Sequence, residues 1–325
     1  MKIFPQCMKV LALFCLPFQF AGDGWTQSYP AKTVRYVVPS SPGVGNDTIA
    51  RVFAEGLAQV FSQQVVVENR AGAAGNIAAE TVARAPADGY TLLQISQSHA
   101  VNVTLYRGLR YDLVRDFAGV TLMAVEPYVV VVHPSLPVKS INDLIKLAKA
   151  RPGALNFPSA GTGTTSFLSG ELFKNMTGVN MVHVPYKGGG PALISVVSGE
   201  TSIYFGPVPP AMPHIRLGRL RAIAVGTTTR LAVMPELPTV AEAGVPGYEL
   251  ANWFGLVVPA QTPKDILETI HRAAVTVLNK PNFSKRFSDM GLIPLSSRPD
   301  EFAAYIKSKI EMLAKIIRQT GATVN

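Results

Sequence analysis

In residues 154–178, ALNFPSAGTGTTSFLSGELFKNMTG, a short apolar run breaks at Ser159, Ala160, Gly161, Thr162, Gly163, Thr164 and Thr165 and then resumes with helical spacing. Leu168, Leu172 and Met176 recur every four residues, which predicts a strand, a glycine-rich turn and a helix burying that face. Gly161 and Gly163 open backbone angles closed to other residues, so the chain can turn sharply into the helix. The first N–H groups of a helix lack intrahelical partners and carry the positive end of its dipole. Two readings follow. Either the turn cradles a carboxylate or phosphate, with Thr162, Thr164, Thr165 and Ser166 adding hydroxyls, or it is a capped helix entry that holds nothing.

The same unit recurs earlier. A β-branched strand at 33–39 runs into Ser40, Ser41, Pro42, Gly43, Val44, Gly45, Asn46 and Asp47, after which Ile49, Phe53, Leu57 and Val60 keep helical spacing. Asp47 is either the N-cap of that helix or a polar group aimed at a ligand. Strand 64–68, helix 77–85 and strand 90–96 continue a β-loop-α-β order, which argues for a parallel, doubly wound sheet. Residues 125–133 read as one apolar strand, followed by helix 141–150. Beyond the opening stretch come strand 181–184, a glycine loop, helix 191–198, strand 202–205, Gly206, a short helix at 212–217 and strand 221–225, a second α/β unit. Strand 252–259 and helices 264–278, 283–291 and 301–320 close the chain, the last with Phe302, Ile306, Ile310, Leu313 and Ile317 on one face.

A chain of 325 residues exceeds the usual size of one core, so two domains are expected. Lys2 and Lys9 precede an apolar run at 10–20, too short to span a membrane and suited to an export signal within residues 1–25. Both cysteines, Cys7 and Cys15, fall inside it, so the mature chain is expected to hold no thiol or disulfide. The net charge of +9 is scattered over helix faces without a run of five. That pattern reads as a solvated basic surface with weak steering of anions, and no nucleic-acid module accompanies it. H-E-x-x-H, G-x-S-x-G and G-x-x-x-x-G-K-[ST] are all missing, and His99, His133, His183, His214 and His271 stand without metal-ligand spacing. Ser166 replaces the third glycine of a dinucleotide fingerprint. No catalytic set, metal or cofactor is expected, which points to a binding protein.

The motifs, taken in order, resemble one family: the Bug-type, TctC-like solute-binding receptors of tripartite tricarboxylate transporters. The resemblance runs from Tyr29 and Pro30 to the C-terminus. It rests on 66–76 (VVENRAGAAGN), 88–93 (DGYTLL), Tyr111-Asp112 with Asp116-Phe117, 159–163 (SAGTG), 183–188 (HVPYKG), 238–244 (PTVAEAG) and 253–255 (WFG). It implies a type II periplasmic-binding-protein fold, with two doubly wound α/β lobes and two hinge crossings. Lobe 1 would comprise 29–127 plus 251–325, and lobe 2 would comprise 128–250. The resemblance also implies a monomeric periplasmic receptor, with integral membrane subunits of the transporter as partners and a small carboxylate as ligand. A ligand sensor or an exported enzyme are the alternatives.

By the same resemblance, the ligand is held by the loop at 39–47 and the loop at 159–165, largely through backbone N–H groups and bridging water. The residues implied are Ser40, Ser41, Gly43, Asp47, Ser159, Ala160, Gly161, Thr162, Gly163, Thr164, Thr165 and Gly206. The chain departs from the family pattern at four of its positions. Ser40 stands where an aromatic is usual, Val44 where a glycine is usual, Phe167 where a histidine is common and Gly206 where an acid is frequent. With no acid at 206, Asp47 is left as the acidic residue at a predicted loop. The expectation is therefore a di- or tricarboxylate or a hydroxy acid, ahead of an amino acid, whose ammonium needs a buried acceptor.

Overall fold

The computed structural model describes residues 29–43 and 45–320. The expected export segment, both cysteines and Val44 lie outside them. From the N-terminus come β1 (Val34–Val38), α1 (Gly45–Phe61), β2 (Val65–Asn69), α2 (Asn76–Ala83), β3 (Thr91–Ser96), α3 (Gln97–Leu105) and β4 (Phe117–Glu126). The middle of the chain forms β5 (Tyr128–Val132), α4 (Ile141–Ala150), β6 (Asn156–Ser159), α5 (Thr165–Thr177), β7 (Val182–Pro185), α6 (Gly189–Val197), β8 (Ile203–Pro207), α7 (Val208–Arg216) and β9 (Arg221–Val225). The last part is β10 (Asn252–Pro259), α8 (Lys264–Asn279), α9 (Pro281–Asp289), β11 (Ile293–Pro294) and α10 (Pro299–Thr320).

Two α/β lobes result. One is built on a six-stranded sheet in the order β11-β4-β10-β3-β1-β2, and the other on β8-β5-β9 with the parallel pair β6-β7 beside β8. The sheets are mixed where the sequence pattern argues for parallel ones. β1 pairs in parallel with β2 and β3, but β10 is antiparallel to both β3 and β4, and β5 is antiparallel to β8 and β9. β10 and β5, the strands that enter a lobe at the crossings, run against their neighbours, whereas β4, which leaves the first lobe, runs with β1 and β3. A strand arriving from the other lobe starts at the cleft end of the sheet, whereas a strand fed by a helix of its own lobe runs towards it.

Pro127 marks the first crossing. The single apolar strand expected at 125–133 is in fact the end of β4 and the start of β5, because a residue without an N–H cannot continue the ladder and so divides it. The backbone is still tied there, since Val208 N–H donates to the Pro127 carbonyl at 3.0 Å and Gly226 N–H to that of Tyr128 at 2.8 Å. The second crossing enters β10, and Asn252 Nδ2 donates to Glu126 Oε2 at 3.0 Å, joining the two crossing strands.

Apolar burial follows the lobes and also bridges them. One cluster packs α1, α8 and α9 on the six-stranded sheet through Phe53, Leu57, Val277, Phe283 and Phe287. A second fills the far lobe around Val129, Val131, Tyr204 and Leu193. A third runs through both, from Val101 and Leu105 on α3 and Leu313 and Ile317 on α10 to Phe157, Phe167 and Phe173. Phe302, Ile306, Leu313 and Ile317 are buried as their spacing predicts. On α5 the buried face differs from expectation. Met176 is exposed and Phe173 takes the core position, because Gly170 lets the helix close onto the Phe157 ring where a Cβ would collide.

Candidate functional site

The 159–166 turn is held almost wholly by its own polar groups. Ser159 Oγ lies 2.7 Å from His183 Nε2 and accepts from Gly161 N–H at 3.0 Å, while Ser166 Oγ accepts from Ala160 N–H at 3.0 Å. Thr164 caps α5: its Oγ1 donates to the Gly161 carbonyl at 2.6 Å and accepts from Phe167 N–H. The Thr164 and Ser166 hydroxyls are therefore spent on shaping the turn, rather than adding donors to a ligand as the sequence suggests. Among the described residues, the N–H groups of Thr162, Gly163, Thr165 and Ser166 have no protein acceptor. They stand at the positive end of a 13-residue helix, the arrangement that favours an anion. His183 is wedged between the Phe157 and Phe167 rings, and burial lowers its affinity for a proton. Its role is to fix Ser159.

This turn meets the other lobe directly. Gly163, at φ +82°, lies against Leu105 of α3, and Gln97 Nε2 at the start of α3 donates to Thr165 Oγ1 at 3.1 Å. Gln97 belongs to no expected site, because the helix that carries it has a weakly apolar stripe.

On the lobe built by the six-stranded sheet, the 40–47 loop is organised by Asp47. This residue is in the first turn of α1, three positions inside it, and is not its N-cap. Its buried carboxylate accepts from Gly43 N–H, Arg51 Nε and Asn69 Nδ2, each at 2.8 Å. Burial alone would raise its pKa, but the bonds from Arg51, Gly43 and Asn69 and the Arg51 charge outweigh that and hold it at about 2. Asp47 and the Gly43 N–H are thus engaged with each other. Ser41 and Gly43 are exposed, whereas Ser40 is nine-tenths buried, with its carbonyl bonded by Asn69 and its Oγ without a protein partner.

A depressed carboxylate contributes stability that is complete above its ordinary pKa of 3.8 and lost as pH falls to about 2. Asp47→Asn should therefore lose about 1–2 kcal/mol at neutral pH and flatten the acid limb between those values. Urea unfolding across that range checks both, and a limb as steep as the wild type's would assign the acid sensitivity to other groups.

Gly206 lies in β8 opposite Val129, and the ring of Tyr204 occupies the space into which a Cβ there would project. The position contributes no side chain to the cleft and has no room for one. The structure instead places an acid at the crossing. Glu126, at the end of β4, is largely buried, and burial raises its pKa against the Asn252 hydrogen bond that lowers it. Its charge raises the pKa of Tyr128 and Tyr204 further, beyond the larger effect of their own burial. Sequence reasoning missed Glu126 because it needs the β4–β10 register, which sets Asn252 opposite Glu126 across 126 residues of chain. The exposed signal was an acid immediately before a proline in an otherwise apolar stretch.

Residues 49–322 match the family described as the tripartite tricarboxylate transporter family receptor. Protein BugT of Bordetella pertussis is 34% identical over 319 residues, covering 98% of each chain. Among solved structures, R. palustris Rpa4515 with adipate is 36% identical with a TM-score of 0.77, covering 91% of this chain and all of that one. MatC (Rpa3494) from Rhodopseudomonas palustris with bound malate is 30% identical with a TM-score of 0.72, covering 89% of this chain and all of the other.

Proposed function

The chain belongs to the tripartite tricarboxylate transporter receptor family, and from that premise we propose that it is a periplasmic receptor for a small carboxylate. It captures the ligand between the lobes, leaves it chemically unchanged and delivers it, as a monomer, to the integral membrane subunits of the transporter. The observation that carries this reading is the set of four N–H groups at the head of α5, at a turn that abuts α3 of the opposite lobe. An anion there is satisfied most fully when the lobe boundaries at 127/128 and 250/251 bend and bring the 40–47 loop over it. Ser40, whose buried hydroxyl lacks a protein partner, is the donor that loop offers. The ligands of Rpa4515 and MatC are carboxylates, which supports the same class here.

Calorimetry of the exported form with adipate, malate and tricarboxylates, run beside small-angle scattering, tests the reading. Saturable binding with compaction and no ligand turnover is the expected result. Failure of every carboxylate to bind, or sustained conversion of a bound one, would overturn it.

A further inference from the structure

Resting on that carboxylate reading, we infer that His183 is a positioning residue of the 159–166 turn, and that it links capture of the carboxylate to uptake of a proton. The link runs through two hydrogen bonds. Ser159 Oγ lies 2.7 Å from His183 Nε2 and accepts from Gly161 N–H at 3.0 Å, and among the described residues it has no other partner. One lone pair is taken by Gly161 N–H, so this buried hydroxyl places its proton only by donating it to Nε2. The ring is then neutral, with its own proton on Nδ1. That nitrogen has no protein partner among the described residues, and the side chain is half-buried, open to exchange with solvent.

Protonation of the ring reverses the bond to Ser159. Nε2–H becomes the donor, and the Ser159 proton is left without a protein acceptor in a residue that is fully buried. The ring cannot swing aside, because the Phe157 and Phe167 rings lie with centroids 5.1 and 4.7 Å from its own. The empty turn therefore resists the charge, in the same direction as burial of the ring does. A bound carboxylate changes that balance. Its negative charge, held on the free N–H groups of Thr162, Gly163, Thr165 and Ser166 that follow Gly161, attracts the imidazolium across the turn. The other charges acting on the ring are Glu171 and Lys174 of α5, a pair at 2.8 Å whose effects oppose each other, while β6 alongside β7 brings no titratable side chain. The bound form thus holds the proton at a higher pH than the empty form. Linkage fixes the sign: affinity is flat above the pKa of the bound form, rises as pH falls through it, and levels off below that of the empty form.

Calorimetry with malate and adipate between about pH 5.5 and 8, in buffers of different ionisation heat, reads affinity and proton uptake together. His183→Gln keeps an acceptor for the Ser159 hydroxyl and cannot titrate, whereas His183→Phe offers neither acceptor nor charge. Dividing the wild-type affinity by that of His183→Gln cancels the ligand's own titration. The ratio should rise about three- to tenfold from pH 8 to 5.5, with the wild type taking up a fraction of a proton more than the variant. At pH 8 His183→Phe should bind about tenfold more weakly than His183→Gln, a rescue that a purely space-filling ring would not show. Thermal melts establish that each variant is folded, and His183→Gln decides alone if the phenylalanine variant is not. NMR of the ligand-free protein at pH 8 adds a readout that needs no ligand: His183 should be neutral with its proton on Nδ1. A flat affinity ratio, equal binding by the two variants, or a proton on Nε2 overturns the inference and leaves the receptor reading in place. No binding of any carboxylate, tricarboxylates included, removes both.

Discussion

Gly163→Val is expected to reduce carboxylate binding by more than about a hundredfold, because it spoils the cradle in two ways at once. The residue sits at φ +82°, and a β-branched side chain in that region is strained by about 1–3 kcal/mol. A Cβ there would also stand 2.5 Å from Leu105 Cδ2 on the opposite lobe. The terminal methyl can yield, but only by pushing α3 and the turn apart, which removes the close approach that brings the N–H groups of Thr162 to Ser166 to the cleft. Gly161→Ala separates the two causes. Gly161 also has a positive φ, of +120°, but its nearest neighbour to a Cβ is the Tyr186 carbonyl at 3.7 Å, so that variant carries strain without a wedge. Calorimetry should show a far larger loss for Gly163→Val than for Gly161→Ala, and scattering should show Gly163→Val no more compact with ligand than without. Equal losses would assign the effect to backbone strain alone, and undiminished affinity in a folded Gly163→Val would remove the turn from the site.

What could be read in the sequence was local. Ile141–Ala150, Arg221–Val225 and Asn252–Pro259 lie where the sequence puts them, because the first is an amphipathic segment behind the Ser140 cap and the other two are short, largely apolar runs. The glycine-rich turn was legible for the same reason: Gly161 and Gly163 both take positive φ, and Thr164 caps the helix that follows. The helix of Gln97–Leu105 was not, since Val101, Val103 and Thr104 are β-branched and the buried set includes the polar residues Gln97 and Asn102, whose partners Thr165 and Asn76 are distant in sequence. Phe117–Glu126 was likewise hidden, because its burial on both faces removes the alternation that marks a strand. The site divides along the same line. Ser159 and Thr164 could be named from their neighbours in sequence, but whether their hydroxyls point outward or are spent on His183 and Gly161 depends on the folded turn.

Gly206→Asp restores the acid that family resemblance puts at that position, and it is expected to cost about 3–4 kcal/mol. The reason is on the same strand. Tyr204, two residues away and so on the same face of β8, lays its ring across the space above Gly206, and its hydroxyl reaches the Gly189 carbonyl at 3.4 Å. A side chain at 206 must displace a ring that is almost fully buried in the core of that lobe, and the new carboxylate arrives without a donor of its own. Glycine at 206 and tyrosine at 204 therefore form one solution to filling this part of the lobe's core. Tyr204→Ala alone should also destabilise, through loss of core packing, by about 3–5 kcal/mol. In the double variant the aspartate finds room, so the combined cost should fall short of the sum by at least about 1 kcal/mol. Urea unfolding of the four proteins closes the cycle. Strict additivity would mean that the ring does not exclude a side chain at 206, and the absence of an acid there would then have no structural cause in Tyr204.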